Sequence, residues 1–133
     1  GCLIGLTRGT TREHIIRAAQ ESIAYQVNDL LTAMKRDTGT ALSSLSVDGG
    51  ASRDSFLMQF QSDIAEVSVQ VPSAEELSGI GAAYAAGIAA GIYNREEVFG
   101  QMSRTKFSPK MDTSERNEKY QGWKKAVAQV LTD

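Results

Sequence analysis

The chain has 133 residues, 41% of them hydrophobic and 23% charged, with a formal net charge of −2. That is enough apolar material for one compact domain with a core, and it argues against disorder. There is no basic run, so neither nucleic acid nor an anionic membrane is expected as a partner. Cys2 is the only cysteine, which excludes an internal disulfide and a cysteine metal cluster and favours a reducing compartment, the cytoplasm.

The chain opens on GCLIGL, apolar and strand-like, with no initiator Met and no basic leader, and is expected to be a piece of something longer. A long helix follows. Thr10 stands as its N-cap with Glu13 three residues on, a capping-box spacing. Ile16, Ile23, Val27, Leu30, Leu31 and Met34 recur at helical spacing as its expected buried stripe, and Gly39 ends it. Leu45 and Val47 alternate with Ser44 and Ser46 as a strand running into Asp48-Gly49-Gly50. A second amphipathic helix carries Phe56, Leu57, Phe60 and Ile64, capped near Ser52. Val67, Val69 and Val71 alternate with Ser68 and Gln70 in a strand that ends at Pro72.

A third helix is expected after PSAEELS, with small residues on neighbouring stripes: Gly79, Ala83, Gly87 and Gly91 on one, Ala82, Ala86 and Ala90 on the next. Interior glycine costs about 1 kcal/mol relative to alanine, so close packing of this face is expected in return; a wall beside a flat ligand is the sharper alternative. The apolar run Gly79–Ile92 is too short to span a bilayer. A short helix from Asn94, a polar loop and a last helix opening at Asp112 complete the chain, with Tyr120, Trp123, Val127 and Leu131 as the last helix's inner stripe.

Alternating strand and helix units predict an α/β fold with parallel pairing. In such sheets ligands sit beyond the carboxyl ends of the strands, which is where SVDGGASRDSF places its paired glycines. A glycine pair there either strips the backbone bare for a nucleotide or phosphate or simply writes a tight turn, and the residues alone leave both readings open. Other candidates for chemistry are weak. His14, the only histidine, lies in a first helical turn and suits capping or solvent better than catalysis. Asp48, Asp54 and Asp63 make no expected metal site, because Asp54 and Asp63, nine residues apart on a helix, turn to different faces. Ser22, Ser52 and Ser55 have no histidine in a triad context. The run SERNEKY reads as a solvated helix face.

Four segments in order, GLTRGTTREHIIRAAQESIAYQVNDLL, SVDGGASRDSFLMQFQSDI, IGAAYAAGIAAG and FSPKMDTSERNEKYQGWKKAV, closely resemble the C-terminal end of the FGGY family of sugar and polyol kinases, in its glycerol-phosphorylating branch. The resemblance implies an actin-like, ribonuclease-H-like α/β fold, residues 1–133 forming one partial domain, the C-terminal portion of the nucleotide-binding domain. It implies ATP and Mg²⁺ as cofactors and glycerol or a related polyol as substrate, the metal held mainly by parts of the enzyme outside these residues. Gly49, Gly50, Ala51 and Asp54 are implied as nucleotide contacts. Asp54 stands where the family usually has Asn, and Ser78 and Gly79 depart from its usual helix start. The family's catalytic aspartate and phosphate loops fall upstream, so no catalytic or metal residue is assigned and the isolated chain is expected to be inactive. An unpaired sheet edge predicts self-association into a homo-oligomer. A kinase acting on another sugar, such as a ketopentose, and a non-catalytic interaction module of the same fold are the alternative readings.

Overall fold

A computed structural model describes residues 1–73, 77–100 and 103–131. The order is α1 (Arg12–Thr38), β1 (Ser44–Ser46), a 3₁₀ turn (Gly50–Arg53), α2 (Ser55–Ala65), β2 (Ser68–Pro72), α3 (Leu77–Ala89), α4 (Arg95–Gly100), β3 (Arg104–Phe107) and α5 (Thr113–Ala128). β2 is the central strand: β1 pairs with it in parallel, Leu45 opposite Val69, and β3 pairs antiparallel, Phe107 opposite Val69. The α/β class and the parallel β1–β2 pair are as expected from the sequence. Two elements are not. GCLIGL forms no strand, because an extended segment becomes one only through a ladder partner, and these residues lie instead along α1 and α5. The stretch read as a polar loop contains β3, too short and too charged to carry an apolar alternation but paired to β2 through its backbone.

The core lies between α1, α2, α5 and the sheet, and consists of Ala24, Tyr25, Leu57, Met58, Phe60, Ile64, Val69 and Val71. β2 alternates as its sequence dictates, with Val69 and Val71 inside. Aromatic rings link three helices: Tyr25 stacks on Trp123 at 5.4 Å and meets Phe60 edge-on at 5.5 Å, contacts that add to simple burial. α1 turns a different face inward than its sequence predicts. Ala24, Tyr25 and Asn28 are buried, while Ile16, Ile23, Leu30 and Met34 are 47–60% exposed. The helix has two apolar faces, and the one with a small residue at Ala24 admits α2 closely.

Helix ends are set by polar side chains. At α1 the cap is Thr11, one residue later than predicted: its N–H donates to His14 Nδ1 at 3.1 Å, giving the histidine the capping role expected of it. Thr10 instead accepts from the Thr7 N–H at 2.9 Å in the preceding turn. Gly39 closes α1 at φ +67°, its N–H on the Lys35 carbonyl, a left-handed cap suited to glycine. α5 opens at Asp112, which accepts from the Ser114 N–H at 2.7 Å. None of its side chains is fully buried, and Leu131 lies beyond its end, 72% exposed. α3 does not show the expected close packing along its length. Among the described residues a Cβ at Gly79 or Gly81, or at Gly91 just past the helix, would meet nothing within 4 Å, and of these glycines and Gly87 only Gly87 is tight, under the ring of Tyr93. The expected opening of this helix at PSAEELS falls partly on residues 74–76, outside the described residues.

Candidate functional site

The sheet presents the carboxyl end of β1 to one side of the molecule, and the loop 47–54 springs from it. Val47 continues the pairing, its N–H on the Gln70 carbonyl at 3.1 Å. Gly49 then turns the chain at φ +90°, ψ 174°, a conformation that is essentially glycine's alone. The following residues wind into the 3₁₀ turn, which Ser52 ties shut. Its hydroxyl donates to the Gly49 carbonyl at 2.7 Å and its N–H reaches the same oxygen at 3.0 Å. Gly49, Gly50 and Ala51 are exposed, whereas Ser52 is buried.

The two glycines differ. Gly49 is required by its backbone angle. Gly50 has no positive φ, and a Cβ on it would meet no atom within 4 Å. Within these residues Gly50 has no conformational or packing reason to lack a side chain. The loop therefore offers bare main chain outward from a base fixed by Ser52.

Asp54 faces the other way. It is the N-cap of α2, displacing the predicted cap near Ser52, and its Oδ1 accepts from the Leu57 N–H at 3.1 Å. Its Oδ2 accepts from the side-chain amide of Gln20 on α1. Both carboxylate oxygens are thus engaged in joining α1 to the start of α2. Sequence reading gave no role to Gln20, since a polar residue on a long helix carries no signal of a partner 34 positions away. Arg17, one turn earlier, lies 5.0 Å over the Phe56 ring and pairs with Glu21 at 2.8 Å. The site thereby sits on a braced helix pair.

The other candidates resolve into structural roles. Asp63, 8% exposed, accepts from the N–H groups of Lys110 and Met111 at 2.6 and 3.2 Å and from the Gln59 amide at 3.0 Å. It anchors the loop that leads into α5. Asp29 accepts from the Tyr120 hydroxyl at 2.5 Å and the Trp123 indole N–H at 2.7 Å, clasping α5 to α1. Burial first, and the Glu21 charge second, raise the Tyr25 hydroxyl above its usual range; burial and then the Asp29 contact raise that of Tyr120. Within SERNEKY, Arg116 is not solvated as expected. It pairs with Glu66 at 3.1 Å and donates to the Ile64 carbonyl at 3.4 Å, a cation at the carboxyl end of α2.

A cavity of about 630 Å³ lies elsewhere, between residues 1–4, α1 and α5, with Tyr25 and Trp123 in its wall. It is mainly apolar and does not reach the glycine loop, so size alone does not make it the site.

Comparison with known proteins bears on the family of the chain. The profile of the FGGY family of carbohydrate kinases, C-terminal domain, matches residues 1–90, which include the loop. Glycerol kinase of Brachyspira hyodysenteriae is 54% identical over 129 residues, 96% of this chain and 26% of that protein. Glycerol kinase of Geobacillus kaustophilus is 52% identical over 133 residues, 98% of the chain and 27% of the relative. This chain thus spans about a quarter of the curated relatives' length. Among solved structures, Plasmodium falciparum glycerol kinase with ADP superposes with a TM-score of 0.82 at 34% identity, covering 97% of this chain and 26% of that one. Xylulose kinase from Rhodospirillum rubrum shares the fold, with a TM-score of 0.71 at 24% identity over 95% of this chain and 26% of its own. With the profile spanning both strands of the parallel pair, the loop and α2, the chain belongs to the FGGY family of carbohydrate kinases, as part of its C-terminal domain.

Proposed function

We propose that residues 1–133 form one partial domain of an ATP-dependent glycerol kinase and hold the adenosine of the nucleotide through the loop at Gly49, Gly50 and Ala51. The observation that carries this reading is Gly50, a glycine that neither its backbone angle nor any neighbour among the described residues requires. A main chain without a Cβ lets a flat purine lie against peptide atoms, and the loop's place beyond the end of β1 is where α/β folds receive such ligands. The structural relative crystallised with ADP supports the ligand class.

The charges favour the nucleoside end of the ligand. Asp48 is exposed beside the glycines, and a carboxylate there repels a polyphosphate. The phosphates therefore point away from the loop, toward parts of the enzyme that lie outside these residues. Among the described residues no three His, Cys, Asp or Glu side chains converge as metal ligands, and Mg²⁺ is assigned to those other parts as well. There it offsets phosphate charge during transfer to a glycerol hydroxyl. This chain's contribution is to orient: the loop fixes the base, and Asp54, through Gln20 and α2, fixes the loop. Positioning of this kind accelerates transfer without bond making by any residue here. The enzyme works in the cytoplasm.

The test is calorimetric titration of the full gene product with ADP, beside an assay of glycerol phosphorylation. Saturable ADP binding that Gly50→Ala weakens, with glycerol phosphorylated by the parent sequence, is the expected result. ADP binding unchanged by substitution at residues 49–51 refutes the loop assignment. Failure to phosphorylate glycerol while another polyol or ketose is consumed refutes only the substrate.

A further inference from the structure

Asp54 belongs to two elements at once. Its N–H closes the exposed 3₁₀ turn on the Ala51 carbonyl at 3.2 Å, and its own carbonyl opens α2 by accepting from the Met58 N–H at 3.0 Å. The carboxylate is therefore part of the rim of the bare loop, and its direction decides whether that rim is neutral or anionic. Two donors set the direction. The Leu57 N–H holds Oδ1 at 3.1 Å, as at other N-cap carboxylates, and leaves Oδ2 to find a partner elsewhere. That partner is the side-chain amide of Gln20, on α1. Both side chains are partly buried. Arg17, the nearest cation along α1, is engaged by Glu21 at 2.8 Å and lies 5.0 Å over the Phe56 ring. The carboxylate is thus steered by a neutral amide and is not paired with Arg17.

We propose that Gln20 is a positioning residue for the nucleotide, acting through Asp54: its amide turns the carboxylate into the junction of α1 and α2 and keeps an acceptor-only anion off the purine. This rests on the adenosine reading of the loop. Adenine carries acceptors at N7 and N3 and an electron-rich face. A carboxylate turned toward it gives up water and meets like polarity over most of that surface, with the amine as its one donor. The peptide groups of Gly50 and Ala51 bring no such charge. Without Gln20, Oδ2 has no donor at the junction, and a partly buried carboxylate oxygen without a partner swings to water, on whose side the exposed Gly50 and Ala51 stand. A purely structural brace would behave differently. There the contact matters for what it ties together, and taking the charge from a chain that already lacks Gln20 brings nothing back. Where Gln20 masks a charge, removing that charge restores binding, since no anion is left to turn outward.

The experiment is calorimetric titration of the full gene product with ADP, with far-UV circular dichroism to confirm that each variant is folded. Gln20→Leu keeps the bulk of the side chain and removes the donor. It is expected to weaken ADP binding about tenfold, the scale of one lost hydrogen bond to a charged group. Asp54→Asn alone is expected to bind ADP much as the parent does, and Asp54→Asn added to Gln20→Leu to recover most of the loss, a non-additive pair. Gln20→Met, which also lacks the donor, is read by the same comparison where Gln20→Leu does not fold. A Gln20→Leu variant that binds ADP like the parent overturns the proposal. So does a double variant no tighter than Gln20→Leu, which makes the contact a brace and no more. Gly50→Ala, titrated beside them, separates this failure from that of the reading beneath it. A loss at Gly50→Ala with none at Gln20→Leu removes only the role of Gln20, whereas no loss at either removes the loop assignment and the role of Gln20 with it.

Discussion

Gly49 and Gly50 are adjacent, yet alanine at each is expected to fail in a different assay. At Gly49 the φ of +90° with ψ near 174° puts a side chain in a region that costs about 1–3 kcal/mol for any residue but glycine. Spread over a chain of this size, that lowers Tm by roughly 3–12 °C. At Gly50 the backbone is ordinary and the Cβ enters open space. Alanine there is neutral or gains up to about 1 kcal/mol by restricting the unfolded chain. If the purine lies against this main chain, however, the added methyl meets it directly. The overpacking that follows costs about 1–3 kcal/mol, a loss of roughly 5- to 150-fold in ADP affinity. Thermal unfolding followed by circular dichroism, paired with ADP titration of each variant, separates the two effects. The reasoning is refuted if Gly50→Ala binds ADP like the parent, or if Gly49→Ala unfolds at the parent's temperature.

Asp54→Asn keeps an oxygen for the Leu57 N–H and is expected to change stability by less than about 1 kcal/mol, whereas Asp54→Ala loses the cap and the Gln20 contact and is expected to lose about 1–2 kcal/mol; urea midpoints compare them. Asp63→Ala strips the acceptor from two backbone N–H groups beside a buried site and is expected to cost about 3 kcal/mol or more, with the preceding loop and α5 losing hydrogen-exchange protection together. Tyr25 and Tyr120 both ionise above the usual tyrosine range when folded, chiefly through burial. The stability tied to them is complete below the unfolded value near 10 and falls as pH rises past it. Denaturation midpoints between about pH 9 and 11 are expected to decline, and Tyr25→Phe to reduce that decline.

Local pattern was sufficient wherever one element answered mainly to its own residues. Val69 and Val71 wrote β2 and its inward face, Phe56, Leu57, Phe60 and Ile64 wrote α2, and Asp112 opened α5 where its side chain reaches the Ser114 N–H. The glycine pair was legible as a turn at a strand's carboxyl end, and Gly49 meets that expectation through its backbone angle alone. At Asp54 the family resemblance implied a nucleotide contact, and what only the tertiary structure adds is that both carboxylate oxygens have partners within the chain, the Leu57 N–H and Gln20, 34 residues earlier.

What the sequence by itself determined, then, is the α/β class, the order of the long elements and the bare loop, because periodicity, caps and turn residues act over a few positions. Tertiary structure decided the rest. Arg104–Phe107 becomes a strand only because β2 supplies its backbone partners. α1 carries two apolar faces, and its periodicity marks both without ranking them. Burial of Ala24 rather than Ile23 follows from the close approach of α2, and Asp29 and Asp63 acquire their donors only when α5 and its preceding loop arrive. Hydrogen-bond partners and buried faces are properties of pairs of elements, and no stretch of one element encodes them alone.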